Sequence, residues 1–262
     1  HSEDQPKPVT LKNHENFFAV RVRFYEMSKS PALVLTNVSR VFDGNPPVVA
    51  VSNVSFELCA GGFAALVGPS GSGKTTLLNL SAGLDVPTSG EVRIAGRLLA
   101  ELSKHETGMF RRKHVGFVFQ SYNLFPALTV LENVEFTSVV RGDDSRERRE
   151  RAHLALAQVG LTEKTKFFPD QLSGGQQQRV AVARALASQP DIVFADEPTA
   201  NLDSKTALDL IALFERLNAD LGVTFLFSTH DQRLVERVKT EMPMSDGRII
   251  ESVRNGRPEA SI

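Results

Sequence analysis

The feature that most constrains this chain is a glycine-rich segment that directly follows a short run of apolar residues. Residues 63–68 read FAALVG, and residues 68–75 read GPSGSGKT. A continuous apolar run is typical of a strand buried on both faces, and the following KTTLLNLSAGL is typical of a helix. The sequence therefore predicts a strand that enters a helix through a glycine turn, as in a parallel α/β sheet.

The glycine-rich segment fits the pattern G-x-x-x-x-G-K-[ST] in the context that this pattern needs, after a strand and before a helix. Glycines let main-chain N–H groups close around phosphate oxygens, and the helix N-terminus adds a partial positive charge. Lys74 is expected to reach the β- and γ-phosphates, and the Thr75 hydroxyl is expected to ligate Mg²⁺. The candidate residues of this phosphate loop (residues 68–76) are Gly68, Pro69, Ser70, Gly71, Ser72, Gly73, Lys74, Thr75 and Thr76.

The rest of the chain divides into three patterns. LVLTNVSRVF and VSNVSFEL alternate and predict antiparallel strands near the N-terminus. Residues 129–166 have helical periodicity, whereas buried strands at 191–196 and 223–229 enclose a helix that ends at Gly222. The predicted fold class is α/β: a phosphate-loop NTPase core with a mainly parallel sheet, an N-terminal antiparallel β subdomain and an inserted α-helical subdomain.

The predicted domain organisation has three parts. Residues 33–252 form the folded domain, with the helical subdomain at about 121–188, and residues 253–262 form a tail. Residues 1–32 are polar and contain proline, which favours an N-terminal extension that is added to the domain or disordered; a regulatory arm is the alternative.

Composition excludes several classes of protein. The 262 residues carry a net charge of −1, which argues against a nucleic-acid partner. No apolar run approaches the roughly 20 residues that span a bilayer, so membrane attachment would need a partner. The single cysteine, Cys59, excludes an intrachain disulfide and is expected to be a small buried residue.

A second candidate site follows the strand at 191–196, which ends in Asp196 and Glu197. Ligands bind at the carboxyl ends of parallel strands. Asp196 fits the acidic residue that holds Mg²⁺ in phosphate-loop NTPases. Glu197 is expected to orient and deprotonate the water that attacks the γ-phosphate.

These segments, with four others in a fixed order, resemble the ATPase subunits of ABC transporters over roughly residues 33–250. The six segments are VF with Phe42, the phosphate loop, FVFQ ending at Gln120, LSGGQ at 172–176, DEP at 196–198 followed by ANLD at 200–203, and STHD with His230.

The resemblance implies a role for each matching residue. Phe42 would stack on adenine, and Gln120 would contact Mg²⁺ and the attacking water. The imidazole of His230 would hydrogen-bond the γ-phosphate, and Asp203 lies in the loop that crosses between two subunits. The catalytic set is then Glu197, His230, Lys74 and Gln120, and the metal set is Thr75, Gln120 and Asp196.

The LSGGQ segment (residues 172–176) places two glycines at the head of a helix-prone stretch. Ser173 is a good N-cap, and Gly174 and Gly175 leave the first N–H groups bare for a phosphate. Since one phosphate site already exists at 68–76, the resemblance implies that Ser173, Gly174, Gly175 and Gln176 bind the ATP of a second subunit.

The function implied by the resemblance is that of an ATP-hydrolysing motor that forms a homodimer around two ATP molecules and drives an integral membrane permease. The cofactors are ATP and Mg²⁺, and the expected location is the cytoplasmic face of the inner membrane. Segments such as ADEPTANLD look most like the lipoprotein-releasing and macrolide-exporting group. An importer ATPase and a soluble ABC ATPase of nucleic-acid metabolism are the alternatives.

Residues 123–134 would form a permease docking groove or else pack in the subdomain core.

Overall fold

The computed structural model describes residues 31–250 and the backbone of two short strands beyond them, Val253–Arg254 and Arg257–Pro258. The first strand begins at Pro31, two residues before the predicted start of the domain. Residues 1–30 of the predicted N-terminal extension (residues 1–32) therefore lie outside the described part of the chain. Of the predicted tail, only the two short strands are described.

The described residues form a mixture of strands and helices. The strands are β1 (Pro31–Phe42), β2 (Val48–Cys59), β3 (Phe63–Val67), β4 (Ser89–Ile94), β5 (Arg97–Leu98), β6 (Val115–Val118), β7 (Ile192–Asp196), β8 (Thr224–Thr229), β9 (Thr240–Ser245), β10 (Arg248–Ile249), β11 (Val253–Arg254) and β12 (Arg257–Pro258). The α-helices are α1 (Lys74–Ser81), α2 (Lys104–His114), α3 (Val130–Arg141), α4 (Ser145–Gln158), α5 (Gly174–Ala187), α6 (Ser204–Leu221) and α7 (Gln232–Val235). Short 3₁₀ turns lie at Leu99–Glu101, Thr162–Lys164 and Pro169–Gln171.

The N-terminal part is an antiparallel sheet with the strand order β2-β1-β4-β5. Alternation is clear in β2, where Val54 and Leu58 are buried while Asn53, Ser55 and Glu57 are exposed. The same alternation exposes Cys59, next to buried Leu58. The prediction that Cys59 is buried is therefore wrong, because the last position of β2 points to the solvated face.

The central sheet has the order β12-β11-β9-β3-β8-β7-β6, with β10 paired to β9. The pairs of β3 with β8 and β9, and of β7 with β6 and β8, are parallel. Helices cover this sheet, which explains why β3, β7 and β8 are almost entirely buried apolar strands. Parallel pairing brings the carboxyl ends of β3, β7 and β8 to one edge, and each is followed by predicted site residues.

The inserted helices α3, α4 and α5 pack against one another and share buried Val134, Leu156 and Val180. The predicted fold class is confirmed by this arrangement of an antiparallel sheet, a parallel sheet and inserted helices. Helix α2 was not predicted, because KHETGMFRRKH has no apolar stripe. The sequence feature that could have predicted α2 is a capping box, in which the side chain of Ser103 accepts from the Glu106 amide and the side chain of Glu106 accepts from the Ser103 amide.

Candidate functional site

The phosphate loop is packed between the main chains of β2 and β9. Gly73 is the N-cap of α1 and has φ 98°, a conformation that favours glycine. A Cβ on Gly73 would overlap the carbonyl oxygen of Ala50, and a Cβ on Gly68 would overlap that of Met244. Neither carbonyl belongs to a flexible side chain, so both positions require glycine for the loop to keep this shape.

A buried cation and an unused hydroxyl lie inside the loop. Lys74 is only 6% exposed, and its Nζ donates to the carbonyls of Gly68 (2.7 Å) and Pro69 (3.0 Å). The buried Oγ of Ser72 has no hydrogen-bond partner among the described residues. Buried polar groups are normally satisfied, so a lysine and a spare hydroxyl in a glycine cradle fit an anionic ligand such as a phosphate.

Two oxygen donors meet where the phosphate loop faces the end of β7. The Thr75 hydroxyl donates to Oδ1 of Asp196 over 3.1 Å. Burial raises the pKa of Asp196, while hydrogen bonds from Ser228 and Thr75 act in the opposite direction. Residues 31–250 contain no group of three or more His, Cys, Asp or Glu side chains placed to hold a metal ion by themselves. The pair fits a hard cation such as Mg²⁺ that takes few protein ligands and completes its shell with phosphate and water oxygens.

Glu197 faces His230 rather than the Thr75 pair. Its Oε1 lies 2.8 Å from Nδ1 of His230, and its main-chain N–H donates to the carbonyl of Ser228 over 2.8 Å. The Glu197 side chain is 14% exposed and that of His230 is 64% exposed. Glu197 also has φ 44°, a conformation that costs a non-glycine residue about 1–3 kcal/mol. The backbone therefore turns two adjacent carboxylates in different directions.

Gln120 and Phe42 lie at the edges of this group. Gln120 is exposed, and its carbonyl accepts a hydrogen bond from Nδ2 of Asn201 over 3.0 Å. In the described residues its side chain makes no hydrogen bond to the Thr75 pair. Phe42 is 39% exposed at the end of β1, and the guanidinium of Arg40 lies 4.7 Å from its ring centroid. A flat ring held in this way is available for stacking.

The LSGGQ segment opens α5, as its composition predicts. Ser173 caps the helix by accepting from the Gln176 amide, and Oε1 of Gln176 accepts from the Ser173 amide. Its two glycines also have neighbours within the chain. A Cβ on Gly174 would lie 2.9 Å from the hydroxyl of Tyr122, and a Cβ on Gly175 would overlap the methyl of Thr206.

Within residues 31–250, no hydrogen bond links the LSGGQ segment to the phosphate loop. The structure thus brings together the phosphate loop, Asp196, Glu197 and His230, and it leaves residues 172–176 outside that group. Asp203 is likewise apart from the group, as the N-cap of α6. It accepts from the amides of Lys205 and Thr206, and the hydrogen bond from the Thr206 hydroxyl is the main cause of its lowered pKa.

Several residues that organise the site were missed by the sequence reasoning. The side-chain amide of Asn201 donates to the carbonyl of Gln120, and the hydroxyl of Thr199 donates to Asp231 over 2.6 Å. The side chain of Arg184 donates to two carbonyls in the loop just after Gln120. Asn201 and Thr199 stand beside predicted site residues, which was the only signal for them. Nothing local marks Arg184, because its partners are about 60 positions away in the chain.

Comparison with known proteins agrees with this geometry. The family model described as ABC transporter matches residues 51–200. The macrolide export ATP-binding/permease protein MacB of Burkholderia thailandensis is 46% identical over 221 residues, covering 84% of this chain and 34% of that protein. The chain thus spans about a third of the length of the MacB proteins that it matches. An ABC transporter ATP-binding protein of Methanocaldococcus jannaschii is 44% identical over 83% of this chain and 97% of its own length.

Solved structures give the same result. A structure titled as the dimeric, post-hydrolysis state of the ATP-binding cassette MJ0796 bound to ADP and Pi superposes with a TM-score of 0.78. It is 40% identical, and the match covers 85% of this chain and 98% of that one. No helix in the described part of the chain is long and apolar enough to cross a membrane. The predicted resemblance is confirmed: the chain belongs to the ABC transporter family, as an ATP-binding ATPase of that family.

Proposed function

We propose that this chain is the ATP-hydrolysing motor of an ABC transporter of the lipoprotein-release or macrolide-export type. The observation that carries the proposal is the carboxylate of Glu197, 2.8 Å from His230, next to the Asp196–Thr75 pair at the phosphate loop. A base, a polar partner and a cation site then surround the position where a γ-phosphate would lie. The 46% identity to a MacB protein supports the choice of transporter type.

The residues divide the chemistry of hydrolysis among them. Lys74 and the N–H groups of the phosphate loop hold the β- and γ-phosphates and neutralise charge that develops in the transition state. Glu197 orients the attacking water and accepts its proton, and His230 holds a γ-phosphate oxygen. Phe42 stacks on the adenine.

Thr75, Gln120 and Asp196 would hold Mg²⁺, which supplies charge neutralisation on the phosphate oxygens when it is bound. The buried Asp196 carboxylate gains most from such a partner, because burial disfavours its charged form. Gln120 would reach this site from its loop by its side chain, while Asn201 holds its carbonyl.

The working unit in this proposal is a homodimer around two ATP molecules. The N-terminus of α5 lies away from the phosphate loop of its own chain, with Ser173 exposed and the next three residues half-buried: Gly174, Gly175 and Gln176. Such an N-terminus binds anions, so it suits the nucleotide of a partner subunit. Asp203 would lie in the segment that crosses between the subunits. The dimeric MJ0796 cassette supports this arrangement.

The partner in the proposal is an integral membrane permease, which would hold this chain at the cytoplasmic face of the inner membrane. The proposed ATPase domain spans residues 33–252. The segment 123–134 divides into two parts: Val130 and Val134 are buried in the core, whereas Phe125 is exposed and its ring lies 4.3 Å from that of Phe136. We place the docking surface at Phe125 and the exposed valines of α3, Val139 and Val140.

The substitution Glu197→Gln tests the catalytic role. It keeps the size of the side chain and removes the base, so turnover should fall by at least about 100-fold while ATP binding persists. An ATP-stabilised dimer should then appear by light scattering after gel filtration. Glu163→Gln is the control, since Glu163 is exposed on a 3₁₀ turn of the helical region. Unchanged hydrolysis in Glu197→Gln would show that Glu197 is not the base.

A photocrosslinking amino acid at position 125 tests the docking surface. In membranes that contain the partner, it should give an adduct with an integral membrane protein, identified by mass spectrometry. The same probe at position 208 is the control, because Leu208 is an equally exposed apolar residue on α6. Equal adducts at both positions, or soluble adducts alone, would contradict this docking surface.

A further inference from the structure

The loop that follows Gln120 is held by side chains from other parts of the chain. The carbonyl of Gln120 accepts from Asn201, and the carbonyl of Tyr122 accepts from Nη2 of Arg184 over 2.8 Å. The carbonyl of Asn123 accepts from the other terminal nitrogen, Nη1, of the same arginine. The loop has no regular secondary structure, so side-chain bonds of this kind help to fix its path, together with two short main-chain turns at Phe119–Tyr122 and Ser121–Asn123.

Arg184 is suited to holding two carbonyls at once. It lies on α5 and is only 8% exposed, and burial lowers its pKa. No carboxylate lies within ion-pair distance of Arg184 in the described part of the chain. Its guanidinium instead donates hydrogen bonds to the two loop carbonyls. A buried cation is costly to keep without such partners, and removing it would leave both carbonyls to find others.

The loop is in a conformation that needs support. Tyr122 and Asn123 have φ 58° and 51°, in the left-handed region. This conformation costs a tyrosine roughly 1–2 kcal/mol and costs an asparagine less, because asparagine adopts it more readily. Because Arg184 donates to the carbonyls of these two residues, its loss should let the backbone relax and carry Gln120 with it.

Tyr122 connects the loop to the other end of the same helix. Its hydroxyl would lie 2.9 Å from a Cβ on Gly174, so it contacts the first residue of α5. Gly174 and Arg184 are ten positions apart, or about 15 Å along the helix axis. Side chains on a helix lean toward its N-terminus, and here Arg184 reaches the Tyr122 carbonyl while the Tyr122 hydroxyl lies beside Gly174, so the two side chains together bridge this length.

We propose that Arg184 and Tyr122 are positioning residues that attach the Gln120 loop to α5. Because one helix then sets both the LSGGQ segment, which would bind the ATP of the partner subunit, and Gln120, which would serve the ATP of its own chain, these two segments move as a unit. The proposal rests on the proposed roles of Gln120 and of residues 173–176 in ATP hydrolysis. It adds the residues through which those roles are coupled, and neither residue needs to touch the nucleotide.

The test replaces Arg184 with Met, which keeps the length and apolar stem, and with Lys, which keeps the charge but can serve only part of the fork. In the purified chain, hydrogen–deuterium exchange is measured by mass spectrometry on peptides that cover 119–125 and 172–178. ATP hydrolysis is measured on the same samples. Arg179→Met is the matched control, because Arg179 also lies on α5 and donates to a carbonyl, that of Val159, over 3.0 Å.

The expected result is faster exchange in 119–125, by at least about tenfold, for Arg184→Met. Its kcat should fall by about 10- to 100-fold, with KM for ATP changed less than about threefold, because Lys74 and the phosphate loop are untouched. The exchange rate and the kcat of Arg184→Lys should lie between those of Arg184→Met and the parent chain. Arg179→Met should match the parent chain in both. If Arg184→Met fails to fold, the comparison of Arg184→Lys with Arg179→Met decides the question in the same way.

Three results would overturn the proposal. Unchanged exchange in 119–125 would show that Arg184 does not hold the loop. Faster exchange with unchanged kcat would show that the attachment does not position a group for hydrolysis. An equal loss in Arg179→Met would show that only the stability of α5 matters. If the parent chain hydrolyses no ATP, the proposed function fails, while the exchange data still decide whether Arg184 attaches the loop.

Discussion

Gly175 offers a test of whether the second glycine of the LSGGQ segment is required by packing within the chain. A Cβ at this position would overlap the Cγ2 methyl of Thr206, while the next nearest atom, Cβ of Thr206, is 3.6 Å away. Thr206 cannot easily turn aside, because its hydroxyl is bonded to Asp203 over 2.5 Å and a β-branched side chain is stiff at χ1. The substitution Gly175→Ala should therefore strain the contact between α5 and α6.

The magnitude follows from two opposing effects. Overpacking of this kind costs about 1–3 kcal/mol, and losing the bond to the Asp203 carboxylate would add about 1.5–3 kcal/mol if Thr206 turned away. Alanine in a helix regains at most about 0.5–1 kcal/mol over glycine. We expect Gly175→Ala to lower the free energy of unfolding by about 1–3 kcal/mol. At about 2–4 °C per kcal/mol for a domain of this size, the change in Tm is several degrees.

The assay is a double-mutant cycle with Thr206→Ser. Serine lacks the methyl but keeps the hydroxyl that bonds Asp203, so the nearest remaining contact would be the ordinary one at 3.6 Å. In that background Gly175→Ala should be neutral or slightly stabilising. Urea unfolding followed by circular dichroism, without nucleotide, should then give a coupling energy of at least about 1 kcal/mol.

An equal cost of Gly175→Ala in both backgrounds would refute the packing argument. ATP hydrolysis by the double variant then separates packing from ligand binding. If stability returns and hydrolysis does not, the glycine is also needed for the approach of a phosphate.

Three further predictions concern other residues of the chain. Burial raises the pKa of Asp196 above its ordinary 3.8, so its contribution to stability is present at acid pH and is lost as pH rises through the folded pKa. Without metal, Asp196→Asn should therefore raise Tm at pH 7.5 and leave it unchanged near pH 3; a difference that does not depend on pH would contradict this. Asn133 is fully buried, and its amide bonds the main chain at Phe125, Leu128 and Thr129, so Asn133→Leu should cost about 2–4 kcal/mol in urea unfolding. Phe42→Ala should raise KM for ATP by about 5- to 100-fold with little change in kcat, since base stacking is worth about 1–3 kcal/mol; an unchanged KM would remove Phe42 from the adenine site.

The fold and the nucleotide-binding segments were largely predictable because their signals are local. The strand, the glycine turn and the helix at 63–81 are consecutive, and their spacing predicts their structure directly. The same holds for the capped helix that Ser173 begins. The exposure of Cys59 was mispredicted because residue type alone does not say which face of an antiparallel sheet is solvated.

Short motifs and periodicity were enough to predict the chain's family and fold class, and to propose which residues would meet a phosphate and a cation. How those motifs are held in place was visible only in the folded chain. It placed Arg184 on the carbonyls of Tyr122 and Asn123, and Thr206 against Gly175. Such contacts arise where elements far apart in sequence approach within a few ångströms, and side-chain packing in three dimensions sets that approach. The LSGGQ glycines illustrate both contributions: their place in the sequence predicts an anion site, and the contact of Gly175 with Thr206 shows that packing within the chain also favours glycine there.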